Sequence, residues 1–116
     1  MIRRSKYGNK KTYCYLGHKH DSRFEAVYCA RLQDMKQKGE IQDFVVQYTF
    51  DFVFNGHPIC KHIVDFSVLK NDGSLEVHDT KGFCTDVWRI KYKIFKALNP
   101  DIPYMIVKRR GGVYAR

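Results

Sequence analysis

The sequence predicts an α/β domain in which a mixed central β-sheet is flanked by helices. Three observations carry that prediction. Two stretches of helical period enclose three stretches with the two-residue alternation of strands, and one more short apolar run follows the second helix. Asn55-Gly56 and Asn71-Asp72-Gly73 fall between the alternating stretches, where hairpin reversals belong. The resulting order, α-β-β-β-α-β, gives a mixed sheet with helices packed on it.

Residues 1–20 hold six Lys/Arg and no acid, with Tyr7, Tyr13 and Tyr15 interleaved. They read as a flexible basic arm that orders on nucleic acid, ahead of a folded domain spanning 21–116. Tyr13 and Tyr15 also suit a short edge strand. The first helix begins at Asp21-Ser22; Phe24, Val27, Tyr28, Leu32 and Met35 give it an apolar face about 100° wide, and Gly39 stops it. Ser22 and Glu25 have capping-box spacing. Glu25 is therefore either a cap or a carboxylate turned toward the sheet.

From Ile41 to Phe54, Phe44, Val46, Tyr48, Phe50, Phe52 and Phe54 share one parity, the mark of a strand with a buried face. This run is longer than an ordinary strand and predicts a bend or bulge near Thr49. The return strand alternates Cys60, His62, Val64 and Phe66 with Ile63, Asp65 and Ser67. In such an apolar strand Asp65 either faces solvent or needs a partner or a metal, because an unpaired buried charge is costly. Leu75, Val77, Asp79 and Lys81 share one face of the third strand; Glu76, His78 and Thr80 take the other. Thr85 is the expected N-cap of the second helix, whose core face is read as Val87, Ile90, Ile94, Ala97 and Leu98, with Arg89, Lys93 and Lys96 outside and Lys91 near the edge. Asn99-Pro100 ends it. Tyr104 to Val107 make a strand, most simply beside the one bearing Asp79, and Val113-Tyr114 a short last one.

At 116 residues with 44% hydrophobic content, the chain is one domain with a modest core, which pairing with a second copy would help. No apolar run approaches the roughly 20 residues that span a bilayer. The basic N-terminus lacks the apolar segment of a signal peptide, so a cytoplasmic location is expected. Cys14, Cys29, Cys60 and Cys84 are widely and irregularly spaced and are read as free thiols. Cys14, His18 and His20 could form a ligand cluster, though a basic loop with incidental histidines accounts for them as well.

Net charge is +9 and unevenly spread. Residues 81–116 hold nine Lys/Arg against Asp86 and Asp101, while residues 21–80 hold six against ten acids. Basic ends around an acidic centre fit a polyanion held by the flanks and presented to carboxylates. Near the ends of two adjacent strands, Asp65, Asp79 and Lys81 form that centre. Two hard oxygen ligands suit Mg²⁺, which polarises a phosphate and acidifies a bound water. Lys81 can orient that water or hold the phosphate oxygens.

These residues resemble the motifs of the PD-(D/E)xK nuclease superfamily. The likeness is nearest to a group of small phage-encoded proteins similar to Holliday junction resolvases of the RecU type. It spans roughly residues 6 to 107, through Lys6-Tyr7-Gly8-Asn9-Lys10-Lys11, Asp21-Ser22-Arg23-Phe24-Glu25, Gly39-Glu40-Ile41, Gln47, Val64-Asp65-Phe66 and Asp79-Thr80-Lys81-Gly82. Val64 stands where the motif's proline would be, a residue that does no chemistry. The resemblance implies a restriction-endonuclease-like fold, with Glu25, Asp65 and Asp79 as metal ligands and Lys81 as the fourth catalytic residue. It further implies Mg²⁺, with Mn²⁺ as substitute, and a homodimer in the host cytoplasm acting on four-way DNA junctions. Arg3, Arg4, Lys6, Lys10 and Lys11 would grip the DNA backbone, Gln47 and Thr85 would support the site, and Arg89 and Lys91 would reach substrate from the second helix. Other readings of the same residues are a flap, nicking or general DNA endonuclease, a DNA-binding module without catalysis, or a structural protein whose acids cap and solvate.

Overall fold

The computed structural model describes residues 12–13, 19–20, 23–81, 84–108 and 113–115. A two-stranded ribbon, β1 (Thr12–Tyr13) with β2 (Lys19–His20), precedes α1 (Arg23–Gln37). Then come β3 (Asp43–Phe54), β4 (His57–Leu69), β5 (Leu75–Thr80), α2 (Asp86–Leu98), β6 (Tyr104–Val107) and β7 (Val113–Ala115). Strands β3 to β7 form one sheet in chain order, with β5 and β6 parallel and the other pairs antiparallel. A mixed sheet flanked by two helices is the restriction-endonuclease-like arrangement. The expected strand beside Asp79 is β6, with Asp79 opposite Ile106. The expected domain start at residue 21, with Ser22, Cys14 and His18, lies outside the described residues.

Local chemistry sets the turns. Asn55 and Gly56 both take positive φ, 50° and 78°, as a two-residue hairpin turn demands. At the next reversal Asp72 Oδ1 accepts from the Ser74 amide and hydroxyl, and Gly73 supplies the positive φ of 87°. Thr85 caps α2 as expected, its hydroxyl accepting from the Trp88 amide at 3.1 Å. Cys29, Cys60 and Cys84 are free thiols. Among the described residues no helix is long and apolar enough to cross a membrane.

Two apolar clusters lie on the sheet. Tyr28, Cys29 and Leu32 of α1 pack with Phe66 and Val68 of β4, joined by Phe44 and Val46 of β3. Phe95 of α2 packs with Phe52, Val64, Val77 and Tyr104, joined by Phe50, Trp88 and Tyr92. Residues of one parity on β3 and β4 are thus divided between two cores rather than sharing one. The division falls at Gln47 and Asp65, where the pairing Val46↔Phe66 resumes as Tyr48↔Val64 and Gln47 takes a φ of +57°. A non-glycine residue there is strained. The expected irregularity near Thr49 is this one, two residues earlier, with a register shift at Phe52/Val53.

The helix faces need correction. In α2 Phe95 is buried, with half-buried Trp88, Tyr92 and the expected Ile94 packed beside it, whereas Val87 and Ile90 are 63% and 60% exposed, and Leu98 and Ala97 are exposed too. Both stripes have helical spacing. The aromatic one wins because large rings bury more apolar area per residue and Trp88 finds a polar partner beneath it. Val27 of α1 likewise points out, with Ala26 and Cys29 buried instead. The buried Tyr28 hydroxyl and His78 imidazole are paired. The Tyr28 hydroxyl meets His78 Nδ1 at 2.6 Å, and His78 Nε2 meets Glu76 at 2.9 Å. An ionised Glu76 only accepts, so Nε2 carries the proton and Nδ1 accepts from Tyr28.

Candidate functional site: an acid cluster at the break in the sheet

The break at Gln47 and Asp65 coincides with the end of the β4–β5 ladder, and there the chain's acids meet. The Asp65 amide donates to Asp79 Oδ1 at 2.9 Å. Asp65 Oδ2 accepts from the Thr80 amide at 2.8 Å and from its hydroxyl at 2.7 Å. Each aspartate is held by the other's strand, a reciprocal clasp replacing the ordinary ladder. Glu25, on the first turn of α1 and buried, reaches across so that its Oε1 accepts from Gln47 Nε2 at 2.6 Å. The strained backbone of Gln47 therefore accompanies a specific contact, as strain at a working site often does.

Asp79 is fully buried. Its Oδ2 accepts from Trp88 Nε1 at 3.0 Å and from the Tyr104 hydroxyl. Tyr104 spends its one proton on Asp79, so its oxygen accepts from His62 Nε2 at 2.9 Å. Lys81 Nζ lies 3.7 Å from Asp79 Oδ2 and 5.4 Å from the centre of the Trp88 ring.

The electrostatics record the crowding. Asp65 is pushed up to about 8, first by burial, then by the charges of Asp79 and Glu25; Lys81 and Thr80 pull the other way. At neutral pH this carboxyl keeps its proton unless a cation takes its place. Burial also raises the Tyr104 phenol, which stays a donor.

Lone pairs decide whether a cation fits. A carboxylate has about four acceptor sites. Asp79 uses three in the bonds above, leaving one on Oδ1. Asp65 Oδ1 carries no hydrogen bond among the described residues. Two hard oxygens beside a buried glutamate suit a small divalent ion that keeps several waters. Among the described residues no group of three or more His, Cys, Asp or Glu side chains stands as a ready ligand shell.

The structure thus brings Glu25, Gln47, Asp65, Asp79 and Lys81 together. Thr85 serves as a helix cap. Arg89 is exposed on α2 and Lys91 is half-buried; the His62 imidazole is depressed chiefly by its burial, with Lys81 and then Lys91 adding to it and Asp79 opposing. Glu76 is tied to Lys70 at 3.1 Å and to His78, away from the cluster. Arg3, Arg4, Lys6, Lys10, Lys11 and Gly82 lie outside the described residues. Sequence reasoning missed Trp88 and Tyr104, which hold Asp79 in place. The signal available was a tryptophan and a tyrosine with polar tips in otherwise apolar elements.

Residues 4–111 match the family described as Protein of unknown function (DUF1064), and the chain belongs to it. No curated protein and no solved structure matches the chain.

Proposed function

We propose that this member of that family is a metal-dependent DNA endonuclease, and that its substrate is a branched four-way junction resolved by a homodimer. The observation that carries the reading is the approach of three acids from α1, β4 and β5 to one another and to one lysine, where the β3–β4 pairing is interrupted at Gln47 and Asp65. Glu25, Asp65 and Asp79 would hold Mg²⁺, or Mn²⁺ in its stead. When bound, the ion supplies polarisation of the scissile phosphate and a more acidic water.

The chain's own residues do the rest. Gln47 fixes the Glu25 carboxylate through its amide. Trp88 and Tyr104 orient Asp79, leaving one Oδ1 site directed away from them. Thr80 turns Asp65 so that Oδ1 stays open. Lys81, too short of carboxylate contact to be fully neutralised at 3.7 Å, presents an ammonium that can hold a phosphate oxygen or the attacking water. Asp65 would have to give up its proton to hold the ion, which would tie occupancy to pH.

Two sites related by a two-fold axis suit symmetric cuts across a junction, and the +9 charge suits a polyanion. The test is cleavage of a synthetic mobile four-way junction with Mg²⁺, beside flap and linear duplex substrates and an Asp65→Asn control. Paired symmetric nicks lost in the control are expected. Equal cleavage of all three substrates would leave a general nuclease and remove the junction assignment.

A further inference from the structure

Between α2 and β6, beside Trp88, a groove of about 280 Å³ opens to solvent. Trp88 and Tyr92 line it, their rings stacked at 5.1 Å and only 9° from parallel. Ile106 of β6 also lines it, and Arg89, Lys93 and Lys108 stand along it. Lys93 and Lys108 have no carboxylate partner among the described residues, and Arg89 touches only Asp86 across 4.0 Å, with Asp86 almost wholly in water. Three cations converging on an aromatic surface with one loosely held, exposed acid between them are an unmet charge demand.

The groove and the acid cluster share a wall. The indole that lines the groove donates its N–H to Asp79 Oδ2, and Lys81 lies over the same ring. One face of Trp88 is covered by Tyr92 and Lys81 sits over the ring, so stacking of a base on it is disfavoured. What remains is ring edge for a sugar and ammonium or guanidinium for a phosphate. We propose that this groove seats the phosphate and sugar of a nucleotide neighbouring the one to be cut, with Arg89, Lys93 and Lys108 on the phosphate. The inference rests on the nuclease reading for its direction, since it carries the strand past Trp88 toward Lys81. It does not need catalysis to be tested.

Trp88 is the only tryptophan in the chain, so its emission reports on the wall that the groove shares with the acid cluster, and the Arg89, Lys93 and Lys108 replacements assign the signal to the groove. In the full-length protein with EDTA, a fluorescein-labelled oligothymidylate is titrated by anisotropy at several salt concentrations while indole emission is followed. Bound strand is expected to shield Trp88 from iodide quenching. Replacing Arg89, Lys93 and Lys108 together by Ala is expected to reduce the slope of log K against log salt by about 2, since each lost phosphate contact removes about 0.7 on a single strand. These side chains are at the surface, and an unchanged melting temperature certifies the fold. A triple Ala variant at Lys36, Lys38 and Lys61 removes the same charge elsewhere. An equal fall in slope in both variants, or unshielded Trp88 in saturated complex, overturns the proposal. Shielding with no cleavage of any substrate by the wild type would keep the groove and remove the nuclease; cleavage with unshielded Trp88 would do the reverse.

Discussion

The two halves of the β3–β4 hairpin are built from the same alternating pattern and do different work. The half near β5 packs Phe44, Val46, Phe66 and Val68 against α1, while the half near the turn packs Phe50, Phe52 and Val64 with α2 and Tyr104. Continuous alternation would place both sets on one face. The exchange happens at Gln47 and Asp65, and it opens the backbone there. The Asp65 and Thr80 amides, which a regular ladder would engage with carbonyls, bond carboxylates instead. The tip, by contrast, closes on an ordinary Asn-Gly turn and exposes Val53, Phe54 and Ile59. The acids lie at the defect, where unsatisfied amides can hold them.

That contrast can be broken most sharply at Asp65. Asp65→Asn should lower Mg²⁺-dependent cleavage by about 10³-fold or more, the scale of losing a group that stabilises the transition state, measured as single-turnover rate on a junction. Next in size are the residues behind Asp79. Tyr104→Phe should reduce the same rate about 10- to 100-fold, as loss of an orienting partner does at metal sites, with the metal-titration midpoint moving to higher Mg²⁺.

The pH response sharpens the comparison without catalysis. Asp65 binds its proton more tightly folded than unfolded, with a folded value of about 8 against an ordinary 3.8. Its contribution to stability is therefore full below about pH 4 and lost as pH rises through 8. In EDTA the melting temperature of the wild type should fall relative to Asp65→Asn between pH 5 and 8. Excess Mg²⁺ should flatten that fall, and a wild type that instead gains stability relative to Asp65→Asn as pH rises would contradict the crowded-acid picture.

Smaller effects separate strain from contact. Gln47→Ala and Gln47→Gly both remove the bond to Glu25, but only glycine relieves the positive φ. The glycine variant should be the more stable of the two by about 1 kcal/mol in urea unfolding. At the tip, Asn55→Gly should change stability by only a few tenths of a kcal/mol and leave cleavage unaltered, because Asn already tolerates that conformation.

Much of this was legible beforehand. Alternation in the strands, the Asn-Gly and Asn-Asp-Gly reversals, Thr85 as a cap, and the pairing of β6 with the Asp79 strand all follow from local rules. The nearness of Asp79 and Lys81 was readable because strand parity puts them on one face; parity breaks at Asp65, whose approach to Asp79 was readable only from its place near the end of the neighbouring strand. The α2 face was not readable: two stripes of equal period compete, and the choice depends on what the sheet offers beneath. Trp88 and Tyr104 escaped for the same reason, since their polar tips acquire meaning only when Asp79 lies under them.

The sequence alone determined the order of the main elements and the turns, because each depends on bonds and spacings within a few residues. Tertiary structure alone decided which face of α2 is buried, that one strand pair serves two cores, and that the acids sit where its pairing opens. Those outcomes depend on competition between distant surfaces for burial and for backbone hydrogen bonds, and no local pattern records which surface wins.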